Sequence, residues 1–243
     1  MQIMGYFGSR NLFYKSQKMN QLGLPISLNS SMLLENFVAN EELLGLINQL
    51  FLNQKSSELY IYGASGSGKT HVLQGAVLKS LADDKNALYI DCSDSLPEHL
   101  VEFIDQISFI SFDNVHLIAK ENEEIFFDLF NRARQSEVNI LVSGDSLPVE
   151  LRVMKDIKTR LSLTAVFKLE ELNDELTVMV IDSQMMERNL KIDSKVYKYL
   201  FKNFSRDLKL LLSTLDDLDQ ASLQSKKPIS IPFVREFLNL NNQ

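Results

Sequence analysis

The segment from residue 63 to residue 70 constrains the fold of this chain more than any other. It reads Gly63, Ala64, Ser65, Gly66, Ser67, Gly68, Lys69 and Thr70, a full match to the pattern Gly-x4-Gly-Lys-Ser/Thr. In such a loop the glycines let backbone N–H groups converge on phosphate oxygens. The lysine reaches the β- and γ-phosphates, and the hydroxyl ligates Mg²⁺. These residues therefore predict a site for ADP or ATP with Mg²⁺, in which Thr70 is a metal ligand.

The sequence on either side of this loop has the context that the motif requires. Residues 58–62 are apolar, β-branched and aromatic, as is typical of a buried strand. After the loop, apolar residues recur at helical spacing, at Val72, Leu73, Ala76, Val77 and Leu81. A Gly/Ser loop with a surface lysine is the alternative interpretation, and the strand–loop–helix context argues against it.

The rest of the chain divides into two parts by its pattern. Up to residue 171, further predicted strands alternate with predicted helices, which favours a parallel α/β sheet. The strands are predicted at 58–62, 87–91, 107–113, 138–142 and 165–169, and the helices from Asn40, after the loop, at 97–104 and at 123–135. Beyond Leu172 only helices are predicted, at 176–189, at 194–203, after Ser205 and from Pro232. We predict an α/β domain with a five-stranded parallel sheet over residues 31–171 and a small all-α domain over 172–243.

Composition and charge exclude several classes of protein. The chain has 243 residues and a formal net charge of −7, which argues against strong DNA binding on its own. No stretch approaches the roughly 20 apolar residues of a membrane span, so we expect a cytoplasmic protein without a membrane anchor. Cys92 is the only cysteine, which excludes an internal disulfide and a cysteine-based zinc site.

The first 30 residues differ from the rest. Residues 1–18 contain Arg10, Lys15 and Lys18 but no acidic residue, so we expect a flexible basic leader. A start at Met19 would remove this leader from the natural protein. A mitochondrial-type presequence is the alternative, and poor amphipathic order argues against it. Residues 19–30 form a separate tail.

The predicted third and fourth strands end in polar residues that would complete the nucleotide site. Asp113 can hold the Mg²⁺ shell beside Thr70. Asn114 follows, and an amide cannot act as a general base, so we predict weak intrinsic hydrolysis. After the fourth strand we favour Asp145 over Ser143 as a sensor of the γ-phosphate, with a simple turn as the alternative.

Together these features resemble the AAA+ ATPases, P-loop NTPases with a helical lid domain. Within them, residues 62–71 resemble the bacterial replication initiator DnaA. The phrases at 112–115 (Phe-Asp-Asn-Val) and 231–235 (Ile-Pro-Phe-Val-Arg) are similar to the Hda family, the DnaA-related proteins that inactivate the initiator. The resemblance runs from about Gln21 to Leu240.

This resemblance assigns roles to two arginines. Arg160, in Thr-Arg-Leu, matches the arginine finger that reaches a neighbour's nucleotide in trans, although the Trp-Gly that follows in the family is absent. Arg206, after Ser205, matches the lid arginine that contacts the phosphates of the bound nucleotide. The alternatives are a surface arginine in a loop at the first position, and a helix cap by Ser205 with a solvated arginine at the second.

The tail before the α/β domain resembles the short motif by which proteins dock on the DNA polymerase sliding clamp (its beta subunit). The residues that match are Gln21, Leu22, Leu24, Pro25 and Ile26, with Gly23 where the motif usually has Ser or Asp. Apolar side chains would fill pockets of a groove, and the proline would limit the unbound ensemble. An apolar tail that packs on its own domain is the alternative.

The resemblance implies a negative regulator of replication initiation. Such a protein docks on the DNA-loaded clamp and stimulates hydrolysis of ATP bound to its partner DnaA, acting mainly as an activator. An AAA+ ATPase of the helicase-loader type is the alternative. The active nucleotide state and self-association into a homo-oligomer stay open. His99 and His116 have no metal-ligand spacing with each other or with Cys92, and we assign them no role.

Overall fold

The computed structural model describes residues 28–37, 40–52, 56–96, 98–187, 190, 192–205 and 208–241. The segment predicted to dock on a clamp, residues 21–26, and the predicted lid arginine, Arg206, lie outside the described residues. Their roles stay predictions.

Five parallel strands form one sheet in the order β2-β3-β4-β1-β5. The strands are β1 Glu58–Tyr62, β2 Ala87–Asp91, β3 Phe109–Asp113, β4 Asn139–Gly144 and β5 Ala165–Lys168. Their side chains alternate between the two faces of the sheet, as the period of two requires. In β1, Leu59 and Ile61 pack in one apolar layer and Tyr60 packs in the other. The sheet confirms the predicted α/β class.

Helices cover both faces of the sheet. They are α1 Glu41–Leu52, α2 Lys69–Ala82, α3 Glu123–Gln135 and α4 Lys155–Leu161, joined by a 3₁₀ helix at Glu98–Gln106 and shorter 3₁₀ turns. Helices α1 and α2 pack on one face, whereas α3, α4 and the 3₁₀ helix pack on the other. Helix α4 is absent from the elements predicted above, and the helix predicted at 97–104 is the 3₁₀ helix.

Four further helices build a separate apolar core. They are α5 Asp174–Glu187, α6 Ser194–Asn203, α7 Leu208–Ser225 and α8 Ile231–Asn241. Helix α7 buries Leu211, Leu215 and Leu218, which lie on one face at spacings of three and four. This arrangement confirms the all-α domain, while its exact boundaries stay predictions. None of the helices in the described ranges combines the length and apolar character that crossing a membrane requires.

Candidate nucleotide site

The phosphate-loop residues 63–70 lie between the end of β1 and the first turn of α2. Gly66 and Gly68 have φ angles of 78° and 97°, in the left-handed region that favours glycine. A Cβ atom on Gly68 would also lie 2.9 Å from the ring of Phe37. Two of the glycines in the motif are therefore required by the backbone itself.

The loop offers hydrogen-bond donors that have no acceptor. Within the described ranges, the backbone N–H groups of Gly66, Gly68 and Lys69 have no hydrogen-bond partner. The hydroxyl of Ser67 is buried and also has none in the described part of the chain. The positive end of the α2 dipole adds to these donors. This set of unsatisfied donors fits the oxygens of a nucleotide's phosphates.

Lys69 is held inside the same loop. Its Nζ donates hydrogen bonds to the carbonyl oxygens of Gly63, at 2.7 Å, and of Ala64, at 2.8 Å. The side chain is only 9% exposed, and burial lowers its pKa, while the charges of Asp113 and Asp145 act in the opposite direction. The ammonium group is therefore held within the loop, at the place where the motif requires a phosphate contact.

The carboxylate of Asp113, at the end of β3, is fully buried and lies in a network of donors. It accepts hydrogen bonds from the Tyr89 hydroxyl at 2.8 Å, from the backbone N–H of Asn114 at 3.0 Å, and from the Ser143 hydroxyl. Burial, and next the charge of Asp113, raise the pKa of Tyr89, so its phenol stays a donor. The network fixes the carboxylate in one orientation.

Asn114 is oriented by a residue on the neighbouring strand. It has a φ of 55°, and its Nδ2 donates to both carboxylate oxygens of Asp91 at 3.2 and 3.3 Å. Asp91 ends β2 and also accepts from the backbone N–H and the hydroxyl of Ser93, at 3.0 and 2.7 Å. Sequence reasoning missed Asp91 and Tyr89. A usable signal existed for Asp91, because it ends β2 as Asp113 ends β3.

Two adjoining cavities separate the phosphate loop from the lid helices. The first, of about 840 Å³, is lined by Lys69, Thr70, Asp91, Asn114, His116 and Asp145, and by Gln184 and Leu212 of the lid. The second, of about 780 Å³, is lined by Ser65, Gly66, Ser67 and the chain around the start of α5. Both volumes lie in the range of small-molecule sites. The structure thus brings Lys69, Thr70 and Asp145 to one cavity.

The residues present also fit a magnesium ion. Within the described ranges there is no group of three or more His, Cys, Asp or Glu residues arranged as a metal site. Mg²⁺ needs no such cage, because it is usually held by one or two carboxylates together with substrate phosphates. Thr70 and Asp113 would hold the ion that arrives with a nucleotide, where it would neutralise phosphate charge.

The two candidates after β4 differ in their surroundings. Asp145 is exposed, lines the larger cavity and accepts a hydrogen bond from the Ser146 hydroxyl at 2.8 Å. Ser143 is fully buried. Its hydroxyl donates a hydrogen bond to the Asp113 carboxylate and accepts one from the backbone N–H of Asn114 at 2.9 Å. The preference for Asp145 as a sensor stays a prediction.

Arg160 lies away from this site. It is on α4, with its Cζ 6.0 Å from the ring centre of Phe127, and its charge acts on Glu58, the first residue of β1. The phosphate loop begins after Tyr62, the last residue of that strand. Four residue steps along a strand span about 13 Å. Arg160 and the phosphate loop are therefore at opposite edges of the sheet.

Similar proteins are known for nearly the whole chain. Residues 28–168 match the family model of the bacterial DnaA ATPase domain, and residues 174–238 match that of the Hda lid domain. An uncharacterized protein from Haemophilus influenzae is 33% identical over 231 residues, which cover 90% of this chain and 99% of that protein.

Solved structures of the initiator share the fold. Domain III of the Thermotoga maritima replication initiation protein DnaA superposes with a TM-score of 0.77 at 20% identity, covering 88% of this chain and 98% of that one. AMPPCP-bound DnaA from Aquifex aeolicus gives 0.67 at 22% identity, covering 80% and 67%. The DnaA ATPase model alone spans more than half of the sequence. The chain therefore belongs to the Hda- and DnaA-related family of AAA+ proteins.

Proposed function

We propose that this protein is a negative regulator of replication initiation that acts on the ATP of DnaA. It binds ADP or ATP with Mg²⁺ at its phosphate loop and docks on the DNA-loaded sliding clamp through residues 21–26. It then offers Arg160 in trans to ATP on DnaA, whose hydrolysis ends the active state of the initiator. The observation that carries this proposal is the position of Arg160 relative to the protein's own phosphate loop.

The surroundings of Arg160 favour a role outside its own chain. Glu58 is paired with Arg134 at 2.8 Å, and Arg160 makes no salt bridge among the described residues. Its side chain is half-buried against Phe127. An arginine that forms no salt bridge among the described residues and does not reach the nucleotide site of its own chain is available to a partner. A planar guanidinium is well suited to stabilise the charge of a transferring phosphoryl group.

The residue after Asp113 supports a regulator rather than a fast ATPase. Asn114 follows the buried Asp113, and its amide cannot accept the proton of an attacking water. We therefore expect the protein's own hydrolysis to be slow and the productive chemistry to occur in the partner's site. The relative from Aquifex aeolicus was solved with AMPPCP, which supports nucleotide binding in this family.

The clamp-docking role depends on the sequence of residues 21–26. The first described residues after them are tied to the nucleotide-binding helix. The backbone N–H of Asn29 donates to the buried Gln74 side chain at 2.9 Å, and the ring of His71 contacts the Leu33 carbonyl at 2.8 Å. A clamp held by this tail would therefore lie close to the α2 side of the domain.

The test measures hydrolysis of labelled ATP pre-bound to DnaA. The arms are no addition, this protein, this protein with DNA-loaded clamp, and the Arg160→Ala variant with clamp. We expect acceleration that requires the clamp and that falls by about a thousandfold or more in the variant. Arg152→Ala is the matched control, since Arg152 is an exposed arginine eight positions earlier in the same region.

Each outcome separates one part of the proposal. Acceleration by Arg160→Ala at the wild-type rate would show that this residue is not the finger. No acceleration by nucleotide-bound wild-type protein with competent clamp would overturn the regulator and leave the helicase-loader alternative. Loss of activity in both arginine variants would point to a general electrostatic effect.

A further inference from the structure

His116 lies at the nucleotide site without a role in the proposal above. It is on the 3₁₀ turn Val115–Leu117 that follows β3 and lines the larger cavity together with Lys69 and Thr70. The lysine of this motif reaches the β- and γ-phosphates. His116 therefore lines the same cavity as the lysine that would contact the terminal phosphates.

The hydrogen bonding of His116 is not that of a structural histidine. Its Nδ1 is buried and has no hydrogen-bond partner among the described residues. His71, in contrast, has its Nε2 2.8 Å from the Leu33 carbonyl oxygen and its ring edge-on to Phe37. A buried polar atom without a partner is unfavourable, and native proteins keep few of them.

Charged groups from four elements act on the imidazole of His116. Burial lowers its pKa, and so does Lys69 at the start of α2. Asp145 after β4, Asp113 on β3 and Asp91 on β2 act in the opposite direction. The lid residues in the same cavity, Val180, Gln184, Leu208 and Leu212, carry no charge. Before nucleotide enters, burial thus holds the pKa of the imidazole below its ordinary value, which favours the neutral form.

We propose that His116 is a further contact for the terminal phosphate of the nucleotide, and that it takes up a proton when the nucleotide binds. This inference rests on the proposed binding of nucleotide at the phosphate loop. Phosphates bring several negative charges into a cavity lined by this imidazole, whose Nδ1 has no partner among the described residues, and they favour its charged form. The protonated His116 ring can also donate one more charge-assisted hydrogen bond to the phosphate.

Protonation of His116 and binding of nucleotide should favour each other. The pKa of His116 is higher in the complex than in the nucleotide-free protein, so binding takes up a proton between those two values. Affinity for nucleotide then increases as the pH falls through that window, by up to about tenfold for each unit by which the pKa rises. ADP lacks the terminal phosphate and should show a smaller effect than a triphosphate. Mg²⁺ neutralises part of the phosphate charge and should reduce it.

The first test follows the imidazole directly. The chain has three histidines, so their ring Cε1–H signals in NMR can be assigned with His71→Gln, His99→Gln and His116→Gln variants. The wild-type protein is titrated with pH, alone and with the non-hydrolysable analogue AMPPCP. We expect the midpoint of His116 to move up with AMPPCP, while that of the exposed His99 stays in place.

The second test counts protons. Calorimetric titration of AMPPCP near pH 6.5, in buffers of different ionisation enthalpy, gives the number of protons taken up. Wild type should take up more than His116→Gln, and this difference cancels the nucleotide's own protonation. The experiment is repeated with ADP, and with and without Mg²⁺.

The outcomes separate this inference from the proposed function. If AMPPCP binds while the His116 signal keeps its midpoint, or if proton uptake is equal in the two proteins, His116 is not a phosphate contact. If AMPPCP does not bind to folded wild-type protein, the proposed nucleotide site itself fails. The NMR measurement on wild type stands even where a variant folds poorly.

Discussion

The hydroxyl of Tyr89 offers a sharp test of how the Asp113 carboxylate is held. Tyr89 is 8% exposed, Asp113 is fully buried, and the hydroxyl donates to Oδ2 at 2.8 Å. Tyr89→Phe removes this donor without changing the shape of the side chain. A hydrogen bond to a charged group contributes about 1.5–3 kcal/mol, so we expect the free energy of unfolding to fall by about 2 kcal/mol.

That loss can be read by thermal unfolding followed by circular dichroism. For a chain of this size, 1 kcal/mol corresponds to about 2–4 °C, so the melting temperature should fall by about 4–8 °C. Tyr62→Phe is the matched control, because the Tyr62 hydroxyl makes no hydrogen bond among the described residues. That variant should stay within about 0.5 kcal/mol of wild type.

The same variant should also weaken nucleotide binding in a way that depends on the metal. Without the Tyr89 donor, the hydrogen bonds to the Asp113 carboxylate that remain within the described ranges come from Asn114 and Ser143. Affinity for a fluorescent ATP analogue should therefore fall more with Mg²⁺ than in EDTA. Equal melting temperatures for Tyr89→Phe and wild type would refute the inferred network. An equal loss of affinity with and without Mg²⁺ would refute its role in holding the ion.

The remaining predictions concern the loop lysine and two glycines. Lys69→Met should abolish the rise in melting temperature that nucleotide causes, worth about 2.7 kcal/mol at a hundredfold excess over Kd. The stability of the nucleotide-free protein should change little, because relief from burying the ammonium offsets the loss of its two hydrogen bonds to the loop carbonyls. Gly144→Ala should lower the free energy of unfolding by about 3 kcal/mol or more, since its Cβ would lie 2.8 Å from Tyr60 Cζ in a packed core. Gly45→Ala, in open space on α1, should raise it by about 0.5–1 kcal/mol. Denaturant unfolding measures both changes.

The fold was predictable where local pattern and tertiary packing agree. Strands β1 and β2 and helices α3 and α6 have the bounds that the apolar periodicity predicts. Helix α4 was not predictable from periodicity, because it has seven residues and only two apolar positions, Ile157 and Leu161. Both are buried in the core shared with α3, so tertiary contacts stabilise a helix too short to form alone.

In the candidate site, too, some residues were predictable from the sequence and others were not. Residues 63–70 were predictable because all of them lie in one contiguous motif whose geometry is fixed by its glycines. Tyr89 and Asp91 lie on β2 and His116 follows β3, and only the strand order of the sheet brings these elements beside the loop. A single sequence contains no signal for that order. The preference for Asp145 rested on its position after a strand, which cannot distinguish it from the buried Ser143.

The separation of Arg160 from the phosphate loop also determines how a partner must approach under the proposed function. Arg160 lies near the amino end of β1, whereas the protein's own nucleotide site is at the carboxyl end of the same parallel sheet. DnaA would have to present the carboxyl edge of its own sheet to the amino edge of this one, a head-to-tail contact between unlike surfaces. Such a contact leaves this protein's nucleotide site outside the interface that carries the chemistry. The Lys69→Met and Arg160→Ala variants should then fail at different steps, the first in binding nucleotide and the second in activating the ATP of the partner.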